Sequence, residues 1–413
     1  MIKVESENLA IGMFVSQLDR PWTETSFLLQ GVLIESHEDI QEFIRVCEFV
    51  YVDQERSHES VIPQLAILKN QQITTNPIKK EVLHTAEMAD EEQEFFRKEL
   101  LHAREVHTNT RGFIDKALED ARLGNSLNTE EAKVFVSEIA ESVSRAPNAM
   151  LWLTHMKKRD EYTSIHCINV CILAVTYGRA LGLEKKELNI LGMGALLHDL
   201  GKMKVPLEIL NKPGRLNIDE YDLMKTHSRE GYNMLKAKGD MHVDILDIVL
   251  SHHERIDGSG YPNGTAGELI SQLAQITSVV DVYDAITSNR CYHDGVQPYD
   301  AMKMMYEWSN KNFSPALIEG FIKCLGIYPI GSLVKLNSRH IGVVVAASEK
   351  ARLRPIIMLV IDRNGERLDI PKLLNLAHPQ WTEGKTKLKI QKIVNPDDYD
   401  IDLAAIVADA KNI

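Results

Sequence analysis

The sequence predicts a mainly α protein: a helical bundle with a small α+β domain before it and a small β-rich appendage after it. Between residues 150 and 326 the apolar positions recur at helical spacing almost without interruption. Before about residue 60, short β-branched and aromatic runs flank one helical segment. Beyond Pro329 the pattern turns to short β-rich runs separated by turn residues. The expected divisions are an N-terminal accessory domain with linker and helices over 1–140, the bundle over 150–328, and the β-rich region over 329–413. At ~100–200 residues per domain, 413 residues accommodate such units.

In the first unit, residues 27–34 and 49–52 read as strands and 11–18 as a weaker one. Ser36-His37-Glu38-Asp39 reads as a helix start, with Ile40, Phe43, Ile44 and Cys47 on one face. The stretch from about 60 to 90 is polar and irregular, as in a linker. Residues 90–122 are rich in Glu, Lys, Arg, Ala and Leu without a sustained heptad seam, so the expectation is a long solvated helix. Asn128-Thr129-Glu130-Glu131 resembles a capping box, opening a helix that carries Val134, Phe135, Ile139 and Val143 until Pro147 stops it. In the tail, residues 331–336, 342–347 and 356–361 read as strands, and Asp362-Arg363-Asn364-Gly365 as a hairpin turn.

Composition narrows the function. There are 59 acidic against 47 basic side chains, a formal charge of −12, the wrong sign for broad contact with DNA or RNA. A small anionic ligand would need local positive charge. No apolar run approaches the ~18 residues of a membrane span. The N-terminus lacks the apolar core of a signal peptide, and the five scattered cysteines form no C-x-x-C pair. A reducing cytoplasm is the expected location.

The chemistry is concentrated in the bundle. His198-Asp199 closes the apolar helix 188–197, where a carboxylate is costly to bury without a cation or hydrogen bonds. Gly201 reads as the helix stop, with Lys202 within one turn of His198. His252-His253-Glu254 ends another apolar helix and runs into a Gly- and Pro-rich loop through Gly264. Asp281 and Asp284 share one face of a third apolar helix. His166 opens a fourth; taken alone it reads as a core histidine. Imidazoles and carboxylates from separate helices, with no thiolate, suit iron, manganese, nickel or zinc. With His227, the five imidazoles and the carboxylates of Asp199 and Asp281 make seven donors, more than one tetrahedral ion needs, so two adjacent ions fit better, the arrangement that clamps displacement at phosphorus.

These residues carry a resemblance. Residues from about 150 to 328 resemble the HD-GYP domain, a branch of the HD-superfamily phosphohydrolases. His198-Asp199-Leu200-Gly201-Lys202 is similar to its HD-x-GK element, and the tract from His252 through Gly260-Tyr261-Pro262 to its HHE-x-x-DG-x-GYP signature. Asp281-Val282-Tyr283-Asp284 through Arg290 is similar to its third block. The first 140 residues are similar to a domain of unknown function that often precedes HD-GYP in bacteria, and the tail to the usual end of such chains.

The resemblance implies an HD-type helical bundle and a phosphodiesterase that opens cyclic di-GMP to pGpG, and onward to GMP, through a metal-activated water. It implies a di- or trinuclear iron or manganese centre with His166, His198, Asp199, His227, His252, His253 and Asp281 as ligands. Asp199 and Lys202 would act in catalysis, Lys202 and Arg290 on phosphate oxygens, and Gly260, Tyr261 and Asp284 on the substrate side. Tyr162 stands where some relatives carry a Glu for a third ion, so two divalent ions are expected. His293 stands where relatives often have a basic residue, which makes substrate grip depend on pH. The alternative is a catalytically weak module that binds cyclic di-GMP or docks a diguanylate cyclase. The expected partners are cyclic di-GMP, diguanylate cyclase domains and a second copy in a homodimer, with no nucleic acid and no membrane.

Overall fold

The computed structural model describes residues 2–19, 31–54, 56–63, 65, 90–155, 162–288, 295–347, 351, 353–382, 387–399 and 401. They fall into two units, 1–83 and 84–413.

The first unit is an antiparallel sheet of β1 (Ile2–Glu5), β2 (Phe14–Leu18), β3 (Val32–Leu33) and β4 (Phe49–Asp53), in the order β1-β4-β2-β3, with helix α1 (His37–Val46). Ile2 and Val4 are buried while Lys3 and Glu5 face out, the two-residue period of a half-buried strand, so the charged N-terminus is itself a strand. Helix α1 starts at a true capping box: Asp39 N–H donates to Ser36 Oγ, and Ser36 N–H donates to Asp39 Oδ2. Ile40, Phe43 and Cys47 turn inward as expected, but Ile44 is exposed. Residues 27–30 of the first expected strand lie outside the described residues.

The second unit takes in helices that the expected division placed with the accessory domain. Helix α2 (Asp90–Leu123) is not a solvated helix. Leu100, Ala103, Val106, Phe113, Ile114, Ala117 and Ala121 are buried in the same core as the bundle. Three of those seven are alanines, which contribute little to a hydrophobic pattern yet let helices approach closely. Helix α3 (Thr129–Arg145) is capped by Asn128 and buries Ala132, Val136, Ile139 and Val143, whereas Val134 is exposed. Pro147 serves as the first residue of helix α4 (Pro147–Leu153), where its missing N–H costs nothing. The helices placed with the accessory domain are thus part of the bundle.

The bundle continues through α5 (Tyr162–Ala180), α6 (Lys185–Leu197), α7 (Leu207–Leu210), α8 (Ile218–Lys225), α9 (His227–Lys238), α10 (Val243–Ser251), α11 (Gln272–Thr287), α12 (Pro298–Glu307) and α13 (Pro315–Leu325). The tail forms an antiparallel sheet of β5 (Leu333–Leu336), β6 (Ile341–Ala346), β7 (Ile356–Ile361), β8 (Arg367–Asn375) and β9 (Ile390–Ile393), in the order β8-β7-β6-β5-β9. Its hairpin turn is as expected: Gly365 has φ +92°, and the Asp362 carboxylate accepts from the N–H groups of Asn364 and Glu366. Leu333, Val343, Val345 and Met358 extend the bundle core, so the β-rich region packs as part of this unit. Among the described residues no helix is long and apolar enough to cross a membrane.

Candidate metal centre

Five helices deliver six of the seven expected ligands directly. His166 comes from the first turns of α5, His198 caps α6, His227 opens α9, His252 caps α10 with His253 following, and Asp281 lies within α11. Asp199 precedes a 3-10 turn, Leu200–Lys204. The side chains converge. His166 Nε2 lies 3.1 Å from Asp281 Oδ1 and 3.6 Å from Asp199 Oδ2. His198 Nε2 is 3.4 Å from Asp199 Oδ2. His227 Nε2 is 3.4 Å from Asp199 Oδ1 and 3.3 Å from His252 Nε2, and His253 Nδ1 is 3.8 Å from Asp281 Oδ2. Two subsets, His166–His198–Asp199 and His227–His252–His253, each hold their ligand atoms within 4.8 Å of one another. Asp199 faces both: Oδ2 toward the first and Oδ1 toward the second.

Helix ends set the tautomers. The Nδ1–H groups of His198, His227 and His252 donate to the carbonyls three residues back, those of Ala195, Met224 and Val249, at 2.7, 2.8 and 2.9 Å. A carbonyl can only accept, so each Nε2 is left with a lone pair aimed into the cluster. The same device fixes three imidazoles from three helix ends.

Asp284 is a correction. It is 1% exposed, and its Oδ2 accepts from His166 Nδ1 at 2.8 Å while its Oδ1 accepts from Asn169 Nδ2 at 3.0 Å. It cannot touch a substrate; it aims His166. Loss of such an outer carboxylate weakens metal binding by about 10–100-fold. The Asp284→Asn variant is expected to lose metal affinity in that range, read by chelator competition, with Asp199 and Lys202 intact.

A metal fits these residues on their own chemistry. His198 Nε2 and Asp199 Oδ1 are buried without a hydrogen-bond partner among the described residues, an arrangement that is costly unless something else satisfies them. Burial opposes charge on Asp199, but His198, Lys202 and His227 hold its carboxyl well below the usual range. Burial pushes the His227 imidazole down to about 4, and burial with neighbouring rings keeps His252 and His253 neutral as well. Burial also opposes charge on His166, but its hydrogen bonds to Asp281 and Asp284 raise it to about 9. Neutral imidazoles at His227, His252 and His253 beside an ionised Asp199 are the protonation states that divalent cations require.

Gly201 is not a helix stop by conformation. A Cβ there would lie 1.9 Å from the His227 carbonyl oxygen and 2.4 Å from Gly231 N, so its role is backbone contact that brings α9, and His227 with it, against the Asp199 turn. Lys202 Nζ, on the same turn, lies 2.5 Å from Asp199 Oδ2.

The Gly258–Gly264 loop is clamped by Glu254, which is 2% exposed and accepts from Asn263 N–H at 2.8 Å and Thr265 N–H at 2.9 Å. Sequence patterning assigns Glu254 no role, because its position in an otherwise polar loop entrance offers no periodic signal. Gly258 and Gly264 have φ +78° and +67°. Gly260 corrects another expectation: a Cβ would sit 2.5 Å from the His253 carbonyl oxygen, and the residue does not line the cavity. Tyr261 does, with its ring 4.6 Å from that of His253. Arg290 and His293 lie outside the described residues. The cavity at the cluster measures about 940 Å³ and is lined by His166, His227, His253, Asp281, Lys202 and Tyr261. Asp115, Leu118, Glu119 and Arg122 of α2 line it as well.

A cavity lined by imidazoles and carboxylates, inside a helical bundle, fits the class of metal-dependent hydrolases. Comparison with known proteins gives the family. A family described as an HD domain matches residues 137–317, a domain of unknown function (DUF3391) matches 1–132, and a KOW domain associated with HD domain matches 333–401. Cyclic di-GMP phosphodiesterase PA4108 of Pseudomonas aeruginosa is 37% identical over 368 residues, 86% of this chain and 83% of that one. The cyclic di-GMP phosphodiesterase response regulator RpfG of Xanthomonas campestris pv. campestris is 35% identical over 184 residues, 44% of this chain and 47% of its own. The 3'3'-cGAMP-specific phosphodiesterase 2 of Vibrio cholerae is 31% identical over 165 residues, 40% of this chain and 32% of its own. This chain belongs to the HD-domain phosphodiesterase family, in the branch whose N-terminal segment is DUF3391.

Proposed function

We propose that this chain hydrolyses cyclic di-GMP to pGpG at a centre holding two divalent cations, iron or manganese. The observation that carries the reading is Asp199, whose two oxygens face separate ligand subsets: His166 and His198 on one side, His227 on the other. Asp281 closes the first subset and lies beside His253 of the second. A donor set of nitrogen and oxygen without thiolate suits iron or manganese. When bound, two such cations supply Lewis acidity and lower the pKa of water toward about 7.

The chain's own residues do the rest. His198, His227 and His252 are pre-aimed by their helix-end carbonyls, which lowers the reorganisation needed on binding. Tyr261, carried by the loop that Glu254 clamps, lines the cavity beside His253. Lys202 Nζ, at the cavity side beside Asp199, is placed to take charge developing on a phosphoryl oxygen, the local positive charge an acidic chain of −12 needs for an anionic substrate. Removing one such electrostatic donor costs about 10²–10³-fold in kcat. Lys202→Met is expected to lose turnover in that range while retaining bound metal, which steady-state rates beside metal analysis would show.

The reading is tested by anaerobic purification, metal analysis and a product assay. Release of pGpG by metal-loaded protein, abolished by chelation and restored by iron or manganese, is expected. Intact cyclic di-GMP recovered after incubation with fully loaded protein overturns it.

A further inference from the structure

Besides Lys202, the catalytic cavity is lined by two arginines, one of which lies outside the HD-domain segment. The C-terminal part of α2 lines it with Asp115, Leu118, Glu119 and Arg122, in the same space that His166 and Asp281 line. Those residues precede the HD match, which starts at 137, and fall within the DUF3391 match, which ends at 132. The turn between α7 and α8, within the HD match, contributes Arg215. Of the lysines and arginines lining the cavity, Lys202 is engaged with Asp199 inside the centre, which leaves the guanidiniums of Arg122 and Arg215.

Asp115 and Glu119 line the cavity beside Arg122, so an anion would be held by the guanidinium forks and not by a net positive wall. Arg122 is held at the cavity edge: Nη1 lies 3.7 Å from Glu119 Oε2, and Nη2 donates to Met203 Sδ at 3.5 Å. Sulfur is a weak acceptor and the Glu119 contact is long, so most of the guanidinium fork remains available. Met203 follows Lys202 on the 3-10 turn, which ties Arg122 to the side of the cavity where Lys202 stands. Arg215 is exposed and makes no hydrogen bond or ion pair among the described residues. Guanidinium forks match the paired oxygens of a phosphodiester.

A cyclic dinucleotide carries two phosphodiesters, and one centre can act on only one of them at a time. We infer that Arg122 and Arg215 bind the phosphodiester that is not being cleaved, and so position the substrate ring with its other phosphate over the metal centre. This rests on the cyclic dinucleotide reading above. The cavity, at about 940 Å³, is near the upper end of the roughly 300–1,000 Å³ usual for small-molecule sites, which a two-nucleotide ring needs and a mononucleotide does not. The DUF3391 segment is then a structural part of the substrate site.

The test compares Arg122→Gln, Arg215→Gln and the double variant with the wild type on two substrates: cyclic di-GMP, and bis(4-nitrophenyl) phosphate, which has a single phosphodiester. Removing one charge-assisted hydrogen bond to the bound ring is expected to raise KM for cyclic di-GMP by roughly tenfold per arginine, with kcat within about threefold. Bound metal and turnover of the one-phosphate probe should stay within about twofold of wild type. Retention of 3',3'-cGAMP and cyclic di-AMP should weaken in parallel with cyclic di-GMP, because the second phosphate is common to all three. Unchanged KM for cyclic di-GMP in the double variant overturns the inference, as does weakening confined to guanine-containing ligands or equal loss on both substrates. Should the wild type cleave only the one-phosphate probe and retain no cyclic dinucleotide, the functional reading itself has failed, a distinct outcome.

Discussion

Asp199→Asn is expected to strip the protein of metal and cut turnover by about 10³-fold or more, the largest effect of any single isosteric change. The substitution keeps volume and shape, so the α6 end and its 3-10 turn should persist. What it removes is the negative charge that two sets of imidazoles face, through Oδ2 at 3.4 Å from His198 and Oδ1 at 3.4 Å from His227. An outer-sphere group alone is worth about 10–100-fold in affinity or activity, and a group facing both subsets at once should exceed that. It also replaces a carboxylate oxygen by an amide N–H₂, a donor pointed at nitrogens whose lone pairs already face inward. The measurement is metal content after anaerobic purification, with rates on cyclic di-GMP and circular dichroism to establish that the fold is kept. A folded variant with wild-type metal content and rate removes Asp199 from the centre.

Gly201→Ala should be nearly as damaging by a different route. The added Cβ would lie 1.9 Å from the His227 carbonyl oxygen and 2.4 Å from Gly231 N. Both are backbone atoms of α9, so no rotamer change relieves the overlap, and the 3-10 turn must move away from the helix. Overpacking of this kind costs about 1–3 kcal/mol, occasionally more. Because His227 sits at the point of collision, its Nε2 should retreat from Asp199 and metal affinity should fall together with stability. Urea denaturation of the metal-free protein isolates the first effect, and chelator competition the second. Gly112→Ala is the control: a Cβ there meets nothing within 4 Å, on the exposed side of α2, and should stabilise by about 0.5–1 kcal/mol. Equal midpoints for the two variants, with full metal in both, would show that the close approach has no consequence.

Much of the site is legible in the amino-acid sequence because its ligands stand at helix ends, where sequence signals are strongest. His198-Asp199 after an apolar run and His252-His253 after another mark two such ends, and the spacings of 28 residues, from Asp199 to His227 and from His253 to Asp281, fit whole helical segments. Asp284 is legible as a neighbour of Asp281 but not in its role. The three-residue spacing places both on one face of α11, yet only the packing of α5 against α11 puts His166 between them. Gly260 and Gly201 look like conformational glycines in the sequence, although at both the constraint is an approaching backbone from elsewhere in the chain.

The same distinction separates the domains. Hydrophobic period, caps and turn residues are local properties, so the amino-acid sequence alone determined most of the bundle helices and several of the strands, though not the N-terminal strand β1, that histidines and carboxylates gather within the bundle, and which family the chain belongs to. It could not determine that one face of α2 is buried in the bundle core, because alanines at a close helix contact leave little apolar contrast. Nor could it determine that α2 walls the catalytic cavity while preceding the HD segment. Those facts depend on which surfaces meet across long sequence separations, and only the packed tertiary structure decides them.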